Sequence, residues 1–438
     1  MNGILKNTRK VVIMQNEIKN KIKDLIKDYF QESSNFKLNP SKDRVTVGYP
    51  CYDNKEIERA VECLLDLRLS QGPRVEEFQK KYSEYIGTDF GVAVNSGSSA
   101  NLIALAALVK SGMVKKGSEV IIPATTFTTV VSPIIQNGLI PVFVDVDRDT
   151  YNISVAEIEK AINDNTGLIM PVHTLGLSAD MDGIMKLANK YNLPVLEDCC
   201  EAHGASINGK RVGSFGDISA YSFFVAHNMT TGEGGMVMTS NEELNDLLFQ
   251  LREFGRLKKY ENNKGRFYYN NGELKDFDER YAFEVVGYNL RMTDVCASLG
   301  IPQLQKLDKL NDERNVIAQN YTKGLSKYSE FLQLPTTPKG YYHSFYGYPI
   351  TLTENCKFSR KDLVNYLEDN GIDTRAIMAG NLSIQPAYRD EETRVVGDLT
   401  NSNYITNNSF FIGCHSYINE DMQNHVISVF NNFFKQEK

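Results

Sequence analysis

Ser222-Phe223-Phe224-Val225-Ala226-His227-Asn228-Met229-Thr230-Thr231-Gly232-Glu233-Gly234-Gly235 is the stretch around which the rest of the chain is organised. Ile218 to Phe223 enters it as a strand, and Met236-Val237-Met238-Thr239 resumes a sheet on its far side. Between them, the glycines at 232, 234 and 235 let the backbone pass close to a bound group or a neighbouring subunit. His227 lies in the turn. An imidazole has an unperturbed pKa of about 6.5 and so carries protons near neutral pH; the alternative is a loop histidine without chemistry.

Upstream, strand and helix alternate. Gly91-Val92-Ala93-Val94-Asn95 reads as a short strand that runs into Ser96-Gly97-Ser98-Ser99-Ala100-Asn101 and then into an apolar helix, Leu102 to Val109. Strand, small-residue turn and helix aim free backbone N–H groups at a phosphate, although any tight turn favours glycine and serine. Further strands are expected at Glu119 to Pro123, Ile140 to Val146, Leu168 to Val172 and Pro194 to Glu197, with helices over 154–162 and 180–190. Phe127 follows the second strand at its carboxyl end, where open α/β sheets place ligands; it is either a stacking ring or a core phenylalanine. Asp198 ends the strand Pro194 to Glu197 and either meets a ligand or caps the next turn. The alternation predicts a mostly parallel sheet covered on both faces.

Apolar residues at helical spacing predict an amphipathic helix over Asn16 to Phe30, and helix-like patterns recur over 55–69 and 73–86. Residues 255–280 are charged and tyrosine-rich and read as an irregular excursion, and a long helix is expected from Ala297 to Gly324. At 438 residues, 42% of them hydrophobic, the chain should divide into a large and a small domain. The boundaries read as 1–45 for an N-terminal helix and connector, 46–300 for the large domain and 301–438 for the small one. A net charge of −7 gives no footprint for nucleic acid, so the partner is a small molecule. Seven cysteines form no C-x-x-C pair, which points to a reducing compartment, and adjacent Cys199 and Cys200 read as packing. With no span-length apolar segment and no signal-peptide pattern, a cytoplasmic enzyme fits. Met14, just ahead of the predicted helix, is the expected start.

The loop matches the pattern S-F-x-x-x-K-N-x-T-x-G-E-G-G, with His227 in the lysine position, and so resembles the DegT/DnrJ/EryC1/StrS sugar aminotransferase family of pyridoxal phosphate (PLP) enzymes. Gly97 to Asn101 matches that family's G-S/T-x-A-N, Glu197 to Gly204 its E-D-x-x-E/Q-A-x-G, and Gly287 to Asp294 its G-Y-N-x-R-x-T/S-D. The resemblance runs from about Arg44 to the carboxyl terminus. It is nearest to the nucleotide-linked 4-keto-6-deoxyhexose 3-dehydratases, the CDP-4-keto-6-deoxyglucose 3-dehydrase type first and the GDP-4-keto-6-deoxymannose type second.

What the resemblance implies is specific. The fold is the PLP-dependent transferase fold of the aspartate aminotransferase type, an α/β large domain with a mostly parallel sheet and a small α+β C-terminal domain. Gly97, Ser98, Ser99 and Ser222 bind the cofactor phosphate, Phe127 stacks on its ring, Asp198 pairs with the ring nitrogen and Glu201 lies at the 3-oxygen. Asn289 reaches the phosphate of the other subunit, which makes the protein a homodimer. His227 cannot bond covalently to the cofactor as the family lysine does, so it acts as acid/base. Arg375 and His415 are implied contacts of the nucleotide sugar, with a structural salt bridge and a surface histidine as the alternatives. The implied reaction is PLP/pyridoxamine phosphate (PMP)-dependent 3-dehydration of a nucleotide-linked 4-keto-6-deoxyhexose in deoxysugar and O-antigen-type polysaccharide synthesis, with glutamate as amino donor. The CDP-sugar dehydrases carry four cysteines in the interval matching Gly255 to Gly287, where this chain has none, so neither an iron–sulfur cluster nor another metal is expected. Two other readings stand: a sugar aminotransferase using a different lysine, and a non-catalytic cofactor-binding protein.

Overall fold

The computed structural model describes residues 2–33, 42–257 and 269–436. Two four-strand groups, joined by the parallel bridges Ile169–Val195 and Val172–Asp198, form one large sheet. Its order is Phe90–Val94, Gly235–Thr239, Ile218–Ser222, Leu196–Asp198, Thr166–Ile169, Glu119–Pro123, Ile140–Val144 and, at the edge, Arg394–Val395. Gly235–Thr239 runs antiparallel to both neighbours, and the other pairings are parallel. The central strands are buried along their whole length because helices cover both faces. Gly97–Lys110, Thr128–Gln136 and Glu242–Arg252 pack on one face, Val155–Ala161 and Met181–Tyr191 on the other. Each leucine fully buried between these layers, such as Leu105 or Leu248, contributes about 1.5–3 kcal/mol relative to exposure.

Local chemistry sets the helix starts. Ser96 caps Gly97–Lys110, its Oγ accepting the Ser99 N–H at 3.1 Å, and Thr293 caps Asp294–Leu325 through the Cys296 N–H at 3.2 Å. The long helix carries the chain into a second layer. There the antiparallel strands Leu332–Gln333, Gly347–Leu352, Ser409–Gly413 and Thr374–Arg375 pack against the helices Arg360–Asp369 and Glu420–Gln436. The stretch from Ile377 onwards then returns to the large sheet. Ala379 N–H donates to Thr126 O at 3.0 Å, Leu382 N–H to Ala124 O at 2.9 Å, and Arg394 forks onto the Glu119 carboxylate at 2.8 and 2.6 Å.

Several elements differ from the sequence expectation. The first helix runs Asn2–Ser33, so it begins well before Asn16 and before Met14. The second ends at Leu65, where Leu67 takes a positive φ of 55°. Strand Ile140–Val144 stops short of Val146, Thr166–Ile169 ends before Val172, and the long helix starts at Asp294 because Thr293 caps it. The 255–280 excursion contains a hairpin, Tyr269–Asn271 with Leu274–Phe277, turning through Gly272; residues 258–268 lie outside the described ones. No helix among the described residues is long and apolar enough to cross a membrane.

Candidate active site

A cavity of about 340 Å³ opens at the carboxyl ends of the parallel strands, the position that strand order favours for ligands. Ser96, Gly97 and Ser98 line it at the first turn of Gly97–Lys110, where backbone N–H groups have no intrahelical acceptor and attract an anion. Ser222, from the adjoining strand end, lines it too. Gly97 is required at this junction, because a Cβ there would overlap Ser222 Cβ and stand 2.9 Å from Ser222 Oγ and 3.1 Å from Cys200 Sγ. Gly235 is required for the same kind of reason, since its Cβ would collide with the Ser96 carbonyl.

Asp198 lines the cavity with both oxygens engaged. Oδ2 accepts from Asn101 Nδ2 at 2.8 Å, and Oδ1 from the Cys200 N–H at 3.0 Å. Glu201 accepts the Leu175 N–H at 2.8 Å. Burial pushes the Glu201 carboxyl up to about 8, the Leu175 N–H works against this and the Asp198 charge adds to it. Near neutral pH Glu201 is therefore mostly protonated and can act as a hydrogen-bond donor. Phe127 and Phe224 stand at the cavity, 48% and 43% exposed, so their rings are accessible to a ligand there.

His227 also lines the cavity, and among the described residues no protein group engages its buried Nδ1. Burial, then His203 and the Arg314 charge, lower its pKa to about 3, so the ring is a neutral base. The loop that carries it is anchored next door. Asn228 Nδ2 donates to Asn311 Oδ1 at 2.9 Å and to Ser344 O at 2.8 Å, and Asn311 Nδ2 donates to His203 O at 2.8 Å. His203 Nε2 lies 2.7 Å from the Ser222 carbonyl, which can only accept, so Nε2 carries the proton and Nδ1 accepts from Tyr82 OH at 2.7 Å.

The structure thus brings Gly97, Ser98, Phe127, Asp198, Glu201, Ser222 and His227 together. Ser99 turns away: its N–H is used by Ser96 and its hydroxyl donates to Asn95 Oδ1 at 2.7 Å. Asn289 is exposed, outside this cavity, and accepts from Arg291 Nε at 3.2 Å. Arg375 is exposed, donates to Thr374 O at 2.6 Å, and its charge acts on the cavity residue Tyr346. His415 is not a surface residue but 1% exposed, and its Nε2 bonds to Thr46 O at 3.0 Å, away from the cavity lining. Cys199 and Cys200 are free thiols.

Sequence reasoning passed over Asn101, Tyr346 and Met378. Asn101 had a signal, the last position of the G-S-x-A-N match; Tyr346 and Met378 arrive from the second layer with no local pattern. A buried group of His173, Glu197 and Cys199 has the makings of a metal site. Its donors are already committed. Glu197 accepts N–H groups from Gly213, Phe215 and Gly216, each at 2.8 Å, and lies 3.1 Å from His173 Nε2, while His173 Nδ1 accepts the Ala179 N–H at 3.0 Å. It is an internal anchor for the 213–216 turn.

Residues 50–431 match the model of the DegT/DnrJ/EryC1/StrS aminotransferase family. The lipopolysaccharide biosynthesis protein RfbH of Salmonella typhimurium is 40% identical over 390 residues, 87% of this chain and 89% of the relative. The dTDP-4-dehydro-2,6-dideoxy-D-glucose 3-dehydratase of Saccharopolyspora spinosa is 34% identical over 421 residues, 94% of this chain and 91% of that one. Relatives named GDP-perosamine synthase match as well. Among solved structures, a mutant of GDP-4-keto-6-deoxymannose-3-dehydratase with bound GDP-perosamine superposes with a TM-score of 0.81 at 29% identity, covering 88% of this chain and 99% of that one. The same enzyme has also been solved with a trapped PLP-glutamate geminal diamine.

Proposed function

Because the chain belongs to the DegT/DnrJ/EryC1/StrS aminotransferase family, we propose that it removes the C3 hydroxyl of a nucleotide-linked 4-keto-6-deoxyhexose, with His227 as the proton carrier. The family is PLP-dependent and the fold is that of the PLP aminotransferases. The cavity fits the cofactor: a helix N-terminus and Ser222 for the phosphate, a carboxylate at Asp198, an exposed ring at Phe127 and an unengaged Nδ1 on His227.

Bound there, the cofactor supplies an amine for the 4-keto carbon and a ring that takes up electrons. The protein's share is placement and proton transfer. Gly97, Ser98 and Ser222 would hold the phosphate end of the cofactor, and Phe127 would pack on its ring. Asp198, fixed by Asn101, would supply the carboxylate that keeps the ring nitrogen of the cofactor protonated. Glu201, mostly protonated, would be the donor on the 3-oxygen side of the cofactor. His227 accepts a proton at its unengaged Nδ1 and hands it to the departing C3 hydroxyl, which leaves as water. Glutamate is oxidised to 2-oxoglutarate, ammonia is released, and the sugar loses one oxygen, which closes the balance. Asn289, away from its own cavity, reaches the phosphate in a second copy of the chain, and Arg375 meets the nucleotide sugar.

One observation supports dehydration over amino transfer: no lysine lines the cavity among the described residues, and His227 stands on the loop where a transaminating relative needs one. The test uses purified protein, PLP and glutamate with CDP-, GDP-, dTDP- and UDP-linked 4-keto-6-deoxyhexoses. A 3-deoxy-4-keto product, with 2-oxoglutarate and ammonia in equal amounts, is expected from one of them. An amino sugar that keeps its C3 hydroxyl would mean the aminotransferase reading is right.

A further inference from the structure

The His227 ring has an unusual support. A proton-carrying histidine is commonly oriented by a carboxylate or carbonyl on its second nitrogen, but Nδ1 here has no hydrogen-bond partner among the described residues. The χ2 torsion of histidine is soft and broad, so without such a bond the rings around it decide where the imidazole points. Three lie close. Tyr346 is nearest, with centroids 5.2 Å apart and planes tilted by 44°, ahead of His203 at 6.1 Å and Phe224 at 6.2 Å. That spacing is within the range of favourable aromatic pairs.

Tyr346 is itself held with more constraint than packing needs. Phe345, just before it, has a positive φ of 44°, a conformation a bulky residue adopts only where its surroundings impose it. The surroundings do so from three sides. The Phe345 N–H donates to His343 Nδ1 at 3.0 Å, and the His343 and Phe345 rings stack at 3.7 Å. Fully buried Arg314 donates from one nitrogen to the carbonyls of Phe345 at 3.0 Å, Tyr346 at 3.2 Å and Cys414 at 2.7 Å. The Tyr346 N–H donates to Leu175 O at 2.9 Å, and Leu175, also at positive φ, gives its own N–H to Glu201. Strain fixed this firmly beside a cavity marks a functional constraint.

We infer that Tyr346, locked by Arg314 and by the strained Phe345 backbone, is the positioning residue that sets the orientation of the His227 imidazole. This rests on His227 being the proton carrier proposed above. The charged or titratable groups around that imidazole are His203, Arg314, Tyr346, the cavity carboxyls of Asp198, Glu201 and Glu233, and the Cys200 thiol. None makes a hydrogen bond to it, so ring contact is the means by which the second layer reaches the chemistry.

The experiment follows the His227 Cε1–H resonance in the full-length purified protein labelled at its six histidines, assigned by its absence in His227→Asn. In Tyr346→Leu the resonance should move, its contact with the ring at 346 should vanish, and its titration midpoint should rise as water gains the ring. Tyr346→Phe, which keeps the ring, should hold the resonance near its original place. With the substrate found above, kcat of Tyr346→Leu should fall by about ten-fold or more, as a small misplacement of a reacting group does, while KM for the sugar changes little, and Tyr346→Phe should recover most of that loss. An unmoved resonance and an undiminished kcat in a folded Tyr346→Leu protein would overturn the inference. If His227→Asn turned over at the original rate, the dehydratase role of His227 would fall instead, and the resonance comparison would still decide whether Tyr346 orients the ring.

Discussion

Asn101 and Asp198 meet at 2.8 Å, amide donor to carboxylate acceptor, both buried, across 97 residues of sequence. The same Asn101 Nδ2 also reaches Thr129 O at 3.1 Å, so one side chain ties the helix after the first strand to the strand end at Asp198 and to the first turn of Thr128–Gln136. Asn101→Leu keeps the approximate volume and leaves Asp198 Oδ2 without that donor. A loss of about 1–3 kcal/mol is expected from the unsatisfied acceptor, seen as a lower thermal midpoint, together with weaker cofactor retention in an absorbance titration. Original cofactor affinity in a destabilised variant would show that Asp198 keeps its orientation without Asn101.

His227→Lys should attach the cofactor covalently, measured as added mass after borohydride reduction, and should suppress loss of the C3 hydroxyl. The amine comes from the same loop position beside the same cavity. A variant that neither gains mass nor loses dehydration would place the reacting proton elsewhere.

Gly97→Ala sets a methyl group against Ser222. Overpacking of this kind costs about 1–3 kcal/mol, and the displaced turn should also lose phosphate affinity. Ser222→Gly in the same chain removes the obstacle. Recovery of the thermal midpoint in the double variant, without recovery of cofactor affinity, is the expected pattern, because Ser222 is itself at the phosphate end. A single Gly97→Ala protein as stable as the original would show that the two backbones have room to part.

Acid should destabilise the fold through its histidines. Burial lowers His203 to about 4 and His227, His343 and His415 to about 3, from an ordinary 6.5. The unfolded chain therefore binds more protons than the folded one between 6.5 and those values. Stability rises with pH across that window and is lost as pH falls through it, by up to about 1.4 kcal/mol per pH unit for each such histidine. Thermal midpoints from pH 7 to 4 measure this, and His415→Gln should flatten the slope by one proton. Glu201 works in the opposite direction. Its folded value of about 8 lies above its ordinary 4.5, so its contribution falls as pH rises between the two, and Glu201→Gln should remove that fall.

The sequence was most legible where chemistry sits beside a strong local pattern. Asp198 and Ser222 end buried strands, His227 follows one, and Gly97 opens a helix, so strand, turn and helix patterns placed these residues, while their cofactor roles were legible only through the family motifs they match. What could not be read came through long-range packing. Tyr346 and Met378 reach the cavity from turns whose positive φ values of their own or a neighbour's residue leave no mark in composition. His415 follows the buried strand Ser409–Gly413, and the environment that hides it is supplied by Thr46 at the other end of the chain. The hairpin around Gly272 did carry a turn signal in Asn271-Gly272, but its polar strands concealed it within a charged run.

The edge strand Arg394–Val395 has a consequence for the order in which the protein is made. It closes the open side of Ile140–Val144, and Arg394 neutralises Glu119 at the start of the adjoining strand. On the ribosome, synthesis reaches residue 144 long before residue 394. The nascent large sheet therefore spends most of translation with an unpaired, apolar rim, the kind of edge that recruits strands from other chains. Chains that stop before Arg394 lack the strand that covers that rim, and its open edge is where strands of other chains can add.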